Sequence, residues 1–197
     1  MNLFRSTSTA SLAIAASLLV GCSGGIHTAG THQVGVSGSF GHAIKGEAIW
    51  PDGEGRADSA GVTIDYRYFT ADRFAIGAAA TPYRNYNQSD GDVATGEFQL
   101  SLRYYFWETD ALGVPIGFFA EALGGIMTGS ASVPQEGSAT NFTQDTGLGV
   151  EMKLSENISW VTGYHLRHLS NGRIFRSDSN PAQNDHYVFT GLAISWK

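Results

Sequence analysis

The chain has 197 residues, enough for one ordinary domain, and a formal charge of −6 that offers no basic groove for nucleic acid. Charged residues make up only 15%, aromatics reach 12% and there are 25 glycines. With no apolar run of spanning length beyond the N-terminal stretch, that balance points to an all-β chain, and to a membrane barrel in particular. The single cysteine excludes an intrachain disulfide.

Met1 to Arg5 is a short basic lead, and Ala10 to Gly21 is uncharged and mostly apolar. That is the length of a signal-peptide core and too short for a transmembrane helix. It ends in Leu19-Val20-Gly21-Cys22, which fits the pattern of bacterial lipoproteins. Residues 1–21 are therefore expected as a signal peptide, Cys22 as a lipidation site, 22–32 as a tether and 33–197 as the folded domain.

The rest reads as eight strands. Gln33–Gly41 sets Val34, Val36 and Phe40 against Gln33, Ser37 and Ser39. Gly61–Phe69 sets Val62, Ile64, Tyr66 and Tyr68 against Thr63, Asp65 and Arg67, and Arg73–Tyr83 follows a tight turn. Ala94–Trp107 alternates most clearly, with Phe98, Leu100, Leu102 and Tyr104 opposite Glu97, Gln99, Ser101 and Arg103. After a short turn at 108–113 come Val114–Met127, Asn141–Leu154, Ile158–Leu169 and Asp185–Lys197. Long polar loops follow strands 1, 3, 5 and 7; short turns follow strands 2, 4 and 6. That asymmetry and the even strand count predict an eight-stranded antiparallel transmembrane β-barrel of the bacterial outer membrane, with both ends on the periplasmic side.

Charge decides which face looks inward. Asp65, Arg67, Glu97, Arg103, Glu121, Asp145, Glu151, Lys153 and Arg167 collect on one face. A soluble barrel would not fill its interior with them, because each unpaired buried charge costs several kcal/mol. In a membrane barrel the lipid side is worse still, so the charged face is expected inside and the apolar face outside. Phe106, Trp107, Trp160 and Trp196 fall at the periplasmic strand ends, where an interfacial girdle belongs.

One segment resists this account. In Tyr164-His165-Leu166-Arg167-His168-Leu169-Ser170-Asn171-Gly172, His165 and Arg167 face inward, so His168 and Ser170 face lipid near the external end. An imidazole and a hydroxyl two residues apart are the minimum for an activated serine nucleophile. Such a pair wants a third group to orient the ring. Asn184 shares the outward face of the last strand; Asp185 is the stronger acid but points inward unless a bulge intervenes. His186 is outward as well. His165 and His168 lie on opposite faces, which argues against a metal pair.

These residues resemble the PagL-type lipid A 3-O-deacylases, the outer-membrane acyloxyacyl hydrolases. That family carries His-x-Ser-Asn, then Asn-x-Gly-x-Glu or a variant, then a final strand. Here the match runs through His168-Leu169-Ser170-Asn171-Gly172 and Asn180-Pro181-Ala182-Gln183-Asn184. The resemblance implies His168 as general base, Ser170 as nucleophile and an oxyanion hole near Asn171 and Gly172. Asn184 occupies the family's acid position, and Arg173 stands where many members have glycine. The expected activity is hydrolysis of an ester-linked acyl chain of lipid A, without cofactor or metal. The expected partners are lipopolysaccharide in the outer leaflet and the membrane itself, with a homodimer left open. The alternatives are a non-enzymatic barrel that binds through its loops, and an outer-membrane phospholipase.

Overall fold

The computed structural model describes residues 25–44, 57–88, 91–174 and 181–197. The expected signal peptide, Cys22 and Asn180 lie outside these residues. Eight strands follow in order: β1 His32–Ile44, β2 Asp58–Ala71, β3 Phe74–Tyr86, β4 Val93–Ala111, β5 Val114–Gly129, β6 Thr140–Lys153, β7 Ile158–Ser170 and β8 Gln183–Trp196. Each pairs antiparallel with its neighbours, and β8 returns to β1, so the sheet closes. Closure leaves no unpaired strand edge for lipid to meet.

The outer surface is the apolar face read from the sequence. Val36, Val62, Ile64, Phe98, Leu100, Leu102, Leu148, Leu192 and Ile194 are all exposed. At its periplasmic end His32 stacks on Trp196 at 5.7 Å and accepts or donates a 2.7 Å hydrogen bond with the Tyr66 hydroxyl. Trp107 stacks on Phe118 at 4.8 Å, and Trp160 donates its indole N–H to Thr190 at 2.9 Å. Amphipathic rings suit this boundary because they have one apolar and one hydrogen-bonding edge.

Most of the inward charges pair in two groups. Glu121 accepts from Arg103 through Nε (3.1 Å) and Nη2 (2.9 Å), and from Arg67 Nη2 at 3.0 Å. Arg67 also pairs with Asp65. Nearer the outer mouth, Arg167 donates to Glu97 at 3.1 Å and lies 3.8 Å from Asp145 and 3.7 Å from Asp185. Both arginines that centre these groups are also covered by rings: Arg103 lies 3.7 Å over Phe119, and Arg167 lies 4.6 Å over Tyr83.

Three features depart from the sequence reading. The expected tether is, from Gly25 onward, built into the barrel end. His27 is buried, stacks on Phe69 at 4.3 Å and meets the Glu151 carboxylate at 2.7 Å. Ile26 packs against the cluster of Phe69, Tyr105 and Phe119, and its N–H donates to Glu108 at 3.0 Å. Second, the turn expected at 108–113 is two residues long. β4 runs on to Ala111 past a register shift between Tyr105 and Trp107, and Leu112 and Gly113 turn with φ of 58° and 83°. Third, the interior is not purely polar: Phe69, Tyr105 and Phe119 form an aromatic layer on the charged face. Phe69 and Tyr105 pack on His27, and the Tyr105 hydroxyl donates to Glu151.

Candidate active site

The site lies at the external end of β6, β7 and β8, where three outward side chains come into register. Gln144 of β6 is the cross-strand partner of His168, and His168 is the partner of Asn184 of β8. Cross-strand partners hold their Cβ atoms about 5 Å apart, close enough for side chains to bond. His168 Nδ1 and Asn184 Oδ1 are 2.8 Å apart. Since an amide oxygen can only accept, the ring donates its Nδ1–H to Asn184. That is the tautomer a general base needs.

Ser170 ends β7 on the same face as His168, beside Phe142 of β6. Among the described residues no hydrogen bond joins its hydroxyl to the ring; unliganded sites often tighten only when substrate binds. Asn184 is 1% exposed although its parity is outward. Asp185 is fully buried on the other side of the sheet, where it accepts from Gln183 at 2.8 Å and faces Arg167. β8 pairs with β7 in unbroken register from Ile194 to Gln183, so no bulge turns Asp185 outward. His165 likewise faces the lumen, 3.5 Å from Glu121.

Asn171 and Gly172 form the turn that leaves β7. The Asn171 carbonyl accepts from the Ile174 N–H at 3.1 Å, and the Asn171 side-chain oxygen accepts from the Arg173 N–H at 2.8 Å. Gly172 and Arg173 both have positive φ, at 60° and 59°. The Arg173 N–H is thereby engaged, and the Gly172 N–H is left without a partner among the described residues. Only glycine adopts this left-handed conformation freely. Arg173→Gly is therefore expected to stabilise the folded barrel by about 0.5–1 kcal/mol, seen as a higher urea midpoint in lipid vesicles.

Two outward pairs beside this site were not visible as a unit in the sequence. The Tyr164 hydroxyl bonds His186 Nδ1, so His186 is turned to Tyr164 rather than to His168. On β1, His42 Nδ1 donates to Asp58 at 2.8 Å. The sequence reading left 42–59 as one loop; the even-numbered outward parity of Val34, Val36 and Phe40, carried two residues further, would have found His42.

The sequence matches the outer membrane protein beta-barrel domain over residues 13–194. The chain belongs to that family. It is a small eight-stranded barrel of the bacterial outer membrane. Among solved structures it is similar to neisserial surface protein A, with a TM-score of 0.56 at 16% identity, covering 84% of this chain and 98% of the other. OprG of Pseudomonas aeruginosa gives a TM-score of 0.50 at 14% identity, covering 86% of this chain and 97% of that one. At such identities the likeness is one of fold. No curated protein matches the sequence.

Proposed function

We propose that this outer-membrane barrel is a serine esterase that removes an ester-linked acyl chain, the 3-O-linked one, from lipid A. The observation that carries the reading is the 2.8 Å bond from His168 Nδ1 to Asn184 Oδ1 on the lipid side of the barrel. The pair stands at the external end of β7 and β8 with Asn184 only 1% exposed, so the imidazole is held in one orientation on the face that also carries Ser170.

In this mechanism His168 Nε2 takes the Ser170 hydroxyl proton as the oxygen attacks the ester carbonyl. The tetrahedral oxyanion is met by the Gly172 N–H and the Asn171 region, each donor contributing about 3–4 kcal/mol in comparable sites. The imidazolium then returns the proton to the departing sugar alkoxide, and water repeats the cycle on the acyl-enzyme to release a fatty acid. Asn184 holds the ring's tautomer. The acyl chain lies along the barrel wall and never leaves the bilayer.

A second reading is a barrel without catalysis that binds a partner through its loops. The two solved barrels it resembles, by name a surface protein and an outer membrane protein, fit it. A phospholipase on the same scaffold is the third. Expression of the wild type and of Ser170→Ala in cells with fully acylated lipid A separates them. The esterase reading expects loss of one chain in the mass spectrum of extracted lipid A, with the wild type only. An unchanged spectrum, together with no labelling of Ser170 by a fluorophosphonate probe, selects the non-catalytic barrel. Release of fatty acid from purified phospholipid but not from lipid A selects the phospholipase.

A further inference from the structure

The inner side of β7 and β8, directly behind the candidate site, is tied to the external connections of the barrel. Leu169 and Gln183 are cross-strand partners, one step along from the pair His168 and Asn184. One residue out of step, they point inward, and both are fully buried. Gln183 makes three hydrogen bonds. Its Oε1 accepts from the Ala57 N–H at 3.3 Å, and its Nε2 donates to the Ala57 carbonyl and to Asp185 Oδ1, each at 2.8 Å. The amide therefore pairs with the backbone just before β2 as a neighbouring strand would, although β1 lies between β8 and β2. Leu169 packs with Ala57, Val93, Met127 and Val133 in one apolar cluster.

Two of those partners belong to connections rather than strands. Ala57 ends the connection from β1 to β2, and Val133 lies in 130–139, between β5 and β6. Asn141 fixes the second connection, donating from Nδ2 to the carbonyls of Val133 at 2.7 Å and Ser138 at 3.0 Å. Gly137 of the same connection rests near Pro181, where the chain enters β8: a Cβ on it would lie 3.3 Å from the proline ring. Strand ends open locally unless their side chains are held. His168 and Ser170 flank Leu169, and Asn184 follows Gln183, so a shift of the inner pair moves all three outward groups.

We propose that Gln183 is a positioning residue of this site. With the apolar cluster around Leu169, it links the placement of two external connections to that of His168, Ser170 and Asn184. The link is a property of the fold and holds with or without catalysis; its kinetic consequence rests on the esterase reading. Asp185→Asn keeps an oxygen that can accept from Gln183 and so leaves the link in place.

The test compares Gln183→Met with Gln33→Met in full-length protein in lipid vesicles. Both glutamines are fully buried, and Gln33 serves the other end of the lumen, where it donates to Glu151 at 3.1 Å. Methionine keeps the volume and removes the hydrogen bonds. Amide hydrogen exchange at 168–172 and at 184 reads opening of the strand ends. Gln183→Met should speed exchange there about tenfold, and Gln33→Met should leave it unchanged. Val133→Ala, which alters no strand, should speed it as well. In lipid A deacylation, kcat of Gln183→Met should fall about tenfold with KM within about twofold of wild type. Unchanged exchange in Gln183→Met overturns the proposal. So does equal acceleration at these amides in Gln33→Met, which would mark a general loss of stability. If Gln183→Met does not fold, unchanged exchange in Val133→Ala overturns it alone. Failure of the esterase reading looks different: exchange responds as above while the wild type removes no acyl chain from lipid A.

Discussion

Arg167→Ala is expected to destabilise the barrel by about 3–5 kcal/mol, the usual consequence of stranding buried carboxylates by removing their cation. Arg167 is wholly buried and is the common partner of Glu97, Asp145 and Asp185. Its loss leaves three buried acids without their shared cation. Arg167→Met keeps the volume and should cost nearly as much, which separates charge from packing. Adding Glu97→Gln to Arg167→Met should recover part of the loss, since Glu97 makes the shortest of the three contacts at 3.1 Å. By contrast Arg84→Ala, which breaks an exposed pair with Asp92, should change stability by about 0–1 kcal/mol. The measurement is the urea midpoint of refolding into vesicles. Equal midpoints for Arg167→Met and the wild type would mean that the inner charges are not the framework described above.

That framework was legible in the sequence because lipid enforces it. A strand in a membrane barrel cannot hide a misplaced charge, so the alternation at 97–104 and 61–69 gives the inward and outward faces directly. The pairings inside were not legible. Arg67 meets Glu121 and Arg167 meets Glu97 across 54 and 70 residues of chain, and which strand lies opposite which follows only from closure. His27 was hidden for the same reason. Its partner Glu151 is 124 residues away, and a histidine in a small polar stretch carries no periodic pattern. The aromatic layer of Phe69, Tyr105 and Phe119 was obscured because aromatics serve both the girdle and the interior, and parity alone separates the two uses. At the candidate site the parity of β7 and β8 was enough to bring His168 to Asn184 and to send Asp185 inward. Turn chemistry was less legible: nothing in the sequence marks Arg173 as a residue with positive φ.

Asn184→Ala and Asp185→Asn are expected to differ in activity by a factor of about 10² or more, although the two residues are adjacent. In the proposed mechanism the bond from His168 Nδ1 to Asn184 fixes the tautomer whose Nε2 would accept the serine proton. Without it the ring is free to carry its proton on Nε2, where it cannot act as base; the same loss of tautomer control costs about 10⁴ in a serine protease. The fall here should be smaller, because Asn184 supplies orientation but no charge to the imidazolium. It should appear in kcat rather than KM, since the ring matters to the transition state and not to docking of the acyl chain. Asp185→Asn touches only the lumen, where Gln183 and Arg167 are its neighbours. If the proposed esterase function holds, lipid A deacylation by this variant should stay within about threefold of wild type, a change below 1 kcal/mol. Asn184→Asp provides the third arm. A carboxylate at that position would stabilise the imidazolium as well as orient it, so its rate should exceed that of the wild type. Were Asp185→Asn the inactive variant and Asn184→Ala the active one, β8 would have to present its odd residues to lipid, and the unbroken register from Ile194 to Gln183 would be wrong.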